Sequence, residues 1–200
     1  MVMDKTQPDI SRRHLAGLAV AAPGLMWACN AAADRDPPQT TQQVREALPV
    51  LARHEGVWDG VFRRMDPAGK IKAEFNARII KRFLPDEHWP KIYHQTNMYD
   101  LPDGQRQVID TKGEYRDGKI HFSSQRVTGW QLDDVSDPFN RTVFLYMVYN
   151  SDPDQYVYEL INISDDGKYR TRMTQFLKGG RTTGRTLIDE ELVSRDWSKY

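Results

Sequence analysis

Residues 115–122 read Tyr115-Arg116-Asp117-Gly118-Lys119-Ile120-His121-Phe122, an Asp-Gly pair between two segments in which polar and apolar side chains alternate. Such a pair is among the strongest local signals for a β-hairpin, because a tight turn needs positive φ and both residues tolerate it. Further turn signals recur along the chain, and they predict a succession of hairpins. They are Asp66-Pro67-Ala68-Gly69, Pro85-Asp86, Pro102-Asp103-Gly104, Ser136-Asp137-Pro138, Asp152-Pro153, Asp165-Asp166-Gly167 and Gly179-Gly180.

The segments between these turns predict nine strands with a two-residue period. Consecutive antiparallel strands without an intervening helix either leave two unpaired edges or close on themselves. Closure removes the edges, so we predict an all-β fold, an up-and-down antiparallel barrel of about eight to ten strands. The predicted strands are Trp58–Met65, Ile71–Phe83, Lys91–Tyr99, Gln107–Tyr115, Ile120–Trp130, Thr142–Asn150, Tyr156–Ser164, Tyr169–Leu177 and Arg185–Val193.

A short amphipathic helix precedes the strands. Over residues 42–54 the apolar side chains recur with the spacing i, i+3, i+4, i+7, which is typical of a helix with one apolar face. Pro49 should interrupt it. We expect this helix to act as a lid or plug that packs through its apolar side, formed by Val44, Ala47, Leu48 and Leu51.

Residues 1–33 have the layout of an export signal. Arg12 and Arg13 stand directly before an apolar run over residues 15–28, and small residues follow. This order resembles a signal peptide of the twin-arginine (Tat) type. As a helix the apolar run spans about 21 Å, which is too short to cross a bilayer. We therefore expect export to the periplasm and no integral membrane span.

Two ways of processing this leader are open. Ala31-Ala32-Ala33 fits a cleavage site before Asp34, and this predicts soluble release. Met26-Trp27-Ala28-Cys29 is a poor form of the bacterial lipoprotein box, so a lipid anchor at Cys29 is the alternative. Residues 34–41, polar and containing two prolines, predict a flexible linker, and residues 42–200 then form the barrel domain.

The composition excludes several classes of function. The chain has 28 basic and 28 acidic residues, and this balance argues against nucleic acid as a partner. Cys29 is the only cysteine, so the barrel has no disulfide, no Cys₂His₂ zinc site and no thiol nucleophile. No metal-binding or nucleotide-binding motif occurs, and we predict no metal site.

The start of the first strand carries a family resemblance. Gly56-Val57-Trp58, after a helical turn, resembles the G-x-W motif of lipocalins and the wider calycin group, and it is most similar to bacterial lipocalin-like domains of uncharacterised function. The resemblance implies that Trp58 closes the barrel floor beneath an arginine from the end of the chain. Arg185 is the first candidate for this arginine and Arg195 the alternative. A guanidinium on an indole gives a cation–π contact.

The resemblance and the aromatic strands together suggest a ligand. A barrel of this size can enclose one small molecule, lined by alternate residues of each strand. We therefore predict an exported protein that binds a small hydrophobic or aromatic ligand in the barrel interior. Arg126 would anchor a carboxylate or phenolate of the ligand, unless it lies on the surface. The other predicted ligand-binding residues are Phe122, Trp130 and Tyr158.

An enzyme in the same barrel is the alternative. His94, Tyr146 and Glu159 could transfer protons as a cofactor-independent lyase, isomerase or cyclase. His94 shares a predicted face with Ile92 and Met98, which would turn it inward, where it could also ligate haem iron or serve as a hydrogen-bonded core residue. The sequence identifies no cofactor.

Overall fold

The computed structural model of the protein describes residues 37–200. The predicted export signal, its cleavage site, Cys29 and residues 34–36 of the predicted linker lie outside the described residues. Between residues 37 and 200, no helix has both the length and the apolar character that are needed to cross a membrane.

Ten antiparallel strands form a closed barrel. Each strand pairs with its neighbours along the chain, and β1 pairs with β10 to complete the ring. This confirms the predicted all-β, up-and-down barrel. The strands are β1 (Gly56–Met65), β2 (Ile71–Phe83), β3 (Tyr93–Asp100), β4 (Arg106–Arg116), β5 (Lys119–Ser123), β6 (Val127–Asp133), β7 (Thr142–Tyr149), β8 (Asp152–Ile163), β9 (Tyr169–Lys178) and β10 (Arg181–Ser194).

Two short helices precede β1, as α1 (Thr41–Ala47) and α2 (Pro49–Arg53). Thr40 caps α1 by accepting a hydrogen bond from the backbone N–H of Gln43. Pro49 is the first residue of α2, a position where its missing N–H costs nothing. The predicted helix with an interruption at Pro49 is thus confirmed. Single-turn 3₁₀ helices occupy Asp86–His88 and Trp197–Lys199.

The helices cover one end of the barrel, which we call the closed end. Asp133, the last residue of β6, accepts hydrogen bonds from the N–H groups of Val50 (2.7 Å) and Leu51 (2.8 Å) at the start of α2. Beneath the helices lies an apolar core that seals this end. It consists of Val44, Leu48, Val50, Leu51, Phe83, Ile92, Tyr93, Ile120, Val143 and Ile161.

One predicted strand is two strands. The prediction joined residues 120–130, whereas the chain turns between β5 and β6. Ser124 stabilises the turn, since its Oγ accepts from the N–H groups of Arg126 (3.2 Å) and Val127 (3.1 Å). The turn contains neither Gly nor Pro and therefore gave no strong signal. It also shifts the alternation, so that residues of β6 face the side opposite to the prediction.

Trp58 lies fully buried near the closed end. Its Nε1 donates to the carbonyl of His54 (3.0 Å). The guanidinium carbons of Arg170 and Arg195 lie 4.3 Å and 5.5 Å from its ring centre. Of the two arginines that the resemblance offered, Arg195 is therefore the one in contact. The first candidate for this contact, Arg185, was a wrong prediction, because Arg185 pairs with Met65 at the opposite end of the barrel.

Candidate functional site

The barrel interior differs between its two ends. At the closed end most inward side chains are buried, whereas at the other end, which we call the open end, many inward side chains are only half-buried. The interior is thus filled at the closed end and accessible at the open end. The half-buried inward residues are Asn97, Gln107, Ile109, Thr111, Val127, Met147, Tyr149, Gln155 and Phe176.

Aromatic side chains occupy the interior beneath β1, β2 and β3. The Phe62 and Phe75 rings are stacked with centroids 5.6 Å apart. Tyr99 meets Phe62 edge-on at 5.3 Å. Such pairs pack densely, and most of the half-buried inward side chains lie on the other strands, from β4 to β9.

Phe122 faces the interior from β5, where it is buried, and it is opposite Gly129 on β6. A Cβ on Gly129 would lie 2.2 Å from the carbonyl oxygen of Tyr146 and 2.8 Å from Cζ of Phe122. Only a glycine at this position therefore leaves room for the Phe122 ring beside β6.

Charged side chains form a cluster across the middle of the interior. On β8, Glu159 accepts from Nη2 of Arg172 (2.6 Å) and from the hydroxyl of Thr174 (2.6 Å). Glu190 on β10 accepts from Nη2 of Arg170 (3.0 Å). All of these side chains are buried, so each ion pair satisfies charges that would otherwise be costly inside the barrel.

A lysine and a histidine lie next to this cluster, both fully buried. Burial lowers the pKa of Lys81 well below its usual value, and Arg170 and Arg172 lower it further. Burial, with Lys81 as the next contributor, also lowers the pKa of His54. Both shifts favour the neutral forms of these groups, and the two arginines balance the two glutamates.

Two clefts are open to solvent. One, of about 340 Å³, lies at the rim of the open end, and its walls include Arg64, Tyr149, Gln155, Phe176 and Arg185. The other, of about 700 Å³, lies against the outer faces of β1, β2, β3 and β10. Ion pairs such as Arg78–Asp59 (2.7 Å) form part of its walls, so most of its charged groups already have partners.

Two of the predicted site residues lie inside the barrel. They are Phe122, opposite Gly129, and Glu159, in the charged cluster. The prediction that His94 faces inward is wrong. Its neighbour Tyr93 takes the inward position, and His94 bonds on the outer face to Asp110 (2.9 Å). Ile92 misled the prediction, because it is buried under the helices before β3 begins.

Three predicted aromatic residues lie on the outer face instead of the interior. Trp130 and Tyr146 pair across β6 and β7, and Tyr146 pairs with Tyr158 on β8. Their ring centroids are 5.7 Å and 5.4 Å apart, and Tyr158 is 40% exposed. Trp130 faces outward because the unpredicted turn between β5 and β6 shifts the alternation of β6. Tyr146 and Tyr158 face outward because the alternate residues of β7 and β8, among them Leu145 and Glu159, take the inner face.

Arg126 lies in the turn between β5 and β6 at the rim of the open end, and it is exposed. Arg126 therefore lies on the surface, which was the alternative to its predicted role as an anchor for the ligand. The buried basic residues of the interior are Arg170, Arg172 and Lys81, none of which was among the predicted site residues. The signal for the two arginines was an Arg-x-Arg-x-Thr alternation on β9, which places three polar side chains on one face. Within residues 37–200, no three His, Cys, Asp or Glu side chains are grouped to hold a metal ion.

Comparisons agree with this architecture. A family model described as a domain of unknown function (DUF3598), N-terminal, matches residues 45–195. The S-type phycobiliprotein lyase CPES from Guillardia theta has a similar structure, with a TM-score of 0.58 and 14% identity over 78% of this chain and 99% of the lyase. Rv2717c from M. tuberculosis has a TM-score of 0.50 and 13% identity over 74% and 98%. At these identities the likeness shows a shared lipocalin-like barrel fold. No curated protein matches the chain.

Proposed function

Since the chain belongs to the DUF3598 family, whose description leaves the function open, we propose that it binds a small hydrophobic or aromatic molecule inside the open end of the barrel. The observation that carries this proposal is the contrast between the two ends. A barrel that served only as a scaffold would bury its inward side chains throughout, whereas here Met147, Tyr149 and Phe176 stay half-buried around an accessible space.

The chemistry of the cavity supports a flat, largely apolar ligand. Phe122, Met147 and Phe176 offer aromatic and polarisable surface, which suits an extended ring system. At the bottom of the cavity, Arg172 and Glu159 offer a donor and an acceptor that could orient polar groups of the ligand. A linear tetrapyrrole has this character, and the name of the structurally similar phycobiliprotein lyase makes it the first class to test.

The experiment is a titration with biliverdin, followed by quenching of tryptophan fluorescence and by the bilin absorbance. Met147→Trp places a bulky side chain in the cavity and should weaken binding at least tenfold. Met173→Trp is the matched control, because Met173 lies on the outer face of β9 and is 46% exposed. Equal affinity of both variants would place the ligand elsewhere, and no binding by the wild type would overturn the proposed tetrapyrrole.

Lyase activity is the second candidate, and Glu159 is the observation in its favour. It is the one member of the predicted catalytic set that faces the interior, and Arg172 and Thr174 hold its carboxylate in place. Catalysis predicts that the spectrum of bound bilin changes with time in the wild type and stays constant in Glu159→Gln. A constant spectrum in both proteins would mean that the barrel binds the bilin without catalysing a reaction.

We also propose that the protein works in the periplasm after twin-arginine export. The support is the order of Arg12-Arg13, the apolar run and the small residues. Replacing both arginines by lysine should retain the protein in the cytoplasm. The mass of the mature N-terminus would separate cleavage before Asp34 from lipidation at Cys29.

A further inference from the structure

Of the arginines at the open end that have no acidic partner among the described residues, Arg64 and Arg185 are the two that line the rim cleft of about 340 Å³. Arg64 follows the inward alternation of β1, and its guanidinium carbon lies 5.2 Å from the ring centre of Phe75 inside the barrel. Arg185 lies on the outer face of β10, with its Nη2 beside Gly69 of the neighbouring turn. Both side chains are exposed.

Several other basic groups on this rim are neutralised. Lys178 pairs with Asp152 (2.9 Å), and Lys72 pairs with Asp66 (3.3 Å). Within residues 37–200, no ion pair or side-chain hydrogen bond involves Arg64 or Arg185, so their donors are available to a ligand. The contact with Phe75 holds the Arg64 guanidinium over the interior, which lowers the entropy lost when it binds an anion.

The interior itself does not need an acidic ligand group. Glu159 and Glu190 are matched by Arg172 and Arg170, and burial lowers the pKa of Lys81 well below its usual value. A carboxylate pushed into this cluster would lose its hydration, and both arginines there already have a carboxylate partner. At the rim, a carboxylate could stay partly hydrated and bind a planar guanidinium through two hydrogen bonds.

We infer that Arg64 and Arg185 bind a carboxylate of the ligand at the open end, so that the barrel selects flat apolar molecules with an acidic group at one edge. This inference rests on the proposed function, since it requires the apolar part of the ligand to occupy the interior. It specifies the chemical class of the ligand, an amphipathic organic acid. It also specifies the orientation of the ligand, with the acidic group at the open end of the barrel.

The test compares biliverdin with biliverdin dimethyl ester, which keeps the ring system and loses the negative charges. The wild type should bind biliverdin about tenfold more tightly than the ester, and this preference should fall as ionic strength rises. The double variant Arg64→Met/Arg185→Met should bind both probes with the affinity that the wild type has for the ester. Both residues are exposed, so the variant should fold, and circular dichroism checks this.

Arg181→Met is the matched control. Arg181 is an exposed arginine of the same rim, but it is not part of the cleft wall, so its removal should leave the preference for biliverdin intact. Equal binding of biliverdin and its ester by the wild type would overturn the inference and leave the proposed function standing. A preference that survives in the double variant would also overturn it. Failure of the wild type to bind either probe would overturn the proposed tetrapyrrole itself.

Discussion

The guanidinium carbon of Arg170 lies 4.3 Å from the ring centre of Trp58, and both side chains are buried at the closed end of the barrel. The same guanidinium donates to Glu190 (3.0 Å). Arg170 therefore joins the floor of the barrel to the charged cluster above it. Loss of this one side chain affects an aromatic contact and an ion pair together.

Arg170→Met should lower the free energy of unfolding by about 3–5 kcal/mol, because it leaves Glu190 buried with only the longer contact to Arg172 (3.4 Å). Arg170→Met/Glu190→Met removes both charges and should regain much of this loss. Urea denaturation followed by tryptophan fluorescence measures both. If the double variant is as unstable as the single one, the stability comes from the contact with Trp58 and not from the charges.

Stability should decrease as the pH falls below about 6.5, because of His54. Burial lowers its pKa in the folded protein, whereas in the unfolded chain the pKa is near 6.5. Between these two values the unfolded state binds more protons, so acidification favours unfolding by up to about 1.4 kcal/mol per pH unit. His54→Leu should flatten the dependence of the urea midpoint on pH from 6.5 downward. His88→Leu, a change at an exposed histidine, should leave it unchanged.

Asp133 should be important for holding the helices on the closed end. Asp133→Ala removes the acceptor for the N–H groups of Val50 and Leu51 and should cost about 1–2 kcal/mol, or roughly 2–8 °C in Tm. Asp133→Asn keeps one carbonyl oxygen and should lose less. Thermal denaturation of the two variants tests this, and an unchanged Tm for Asp133→Ala would show that apolar packing alone holds α2.

Gly129 should tolerate no larger residue. The Cβ of an alanine would approach the Tyr146 carbonyl and the Phe122 ring far below contact distance, so Gly129→Ala should cost about 1–3 kcal/mol. Thr128→Ala, at the exposed neighbouring position, should change the urea midpoint little. Similar midpoints for the two variants would mean that β5 and β6 move apart at little cost.

The barrel architecture could be predicted from the sequence because turn residues and the alternation of polar and apolar side chains are local signals. Asp117-Gly118 and Gly179-Gly180 mark turns through their positive φ, and the structure has these values at all four residues. The turn at Ser124 depends on a side-chain hydrogen bond, which leaves a weaker trace in the sequence. Because this turn was not predicted, Trp130 was assigned to the wrong face of its strand.

The candidate site was harder to predict because the usual polarity of a strand is inverted on β9 and is broken at one position of β8. On β9, Met173 faces outward, whereas Arg172 faces the interior. On β8, Tyr158 faces outward, and Glu159 interrupts an otherwise apolar inner face. Apolar residues normally mark the inner face, so the pattern favoured the wrong one. Only the partners of Glu159 on the neighbouring strand justify its burial, and pairing between strands cannot be read from one strand alone.

The pairing of β1 with β10 also affects how the protein folds. The strands between them can pair stepwise as hairpins of neighbouring segments, which requires only short loops to close. The seam between Val57 and Ser194 instead joins residues from opposite ends of the domain, and it gains nothing until the intervening strands have curved into a ring. Pairing β1 with β10 therefore costs more conformational entropy than pairing any two consecutive strands. The folding rate should depend on this step more than on the formation of any single hairpin.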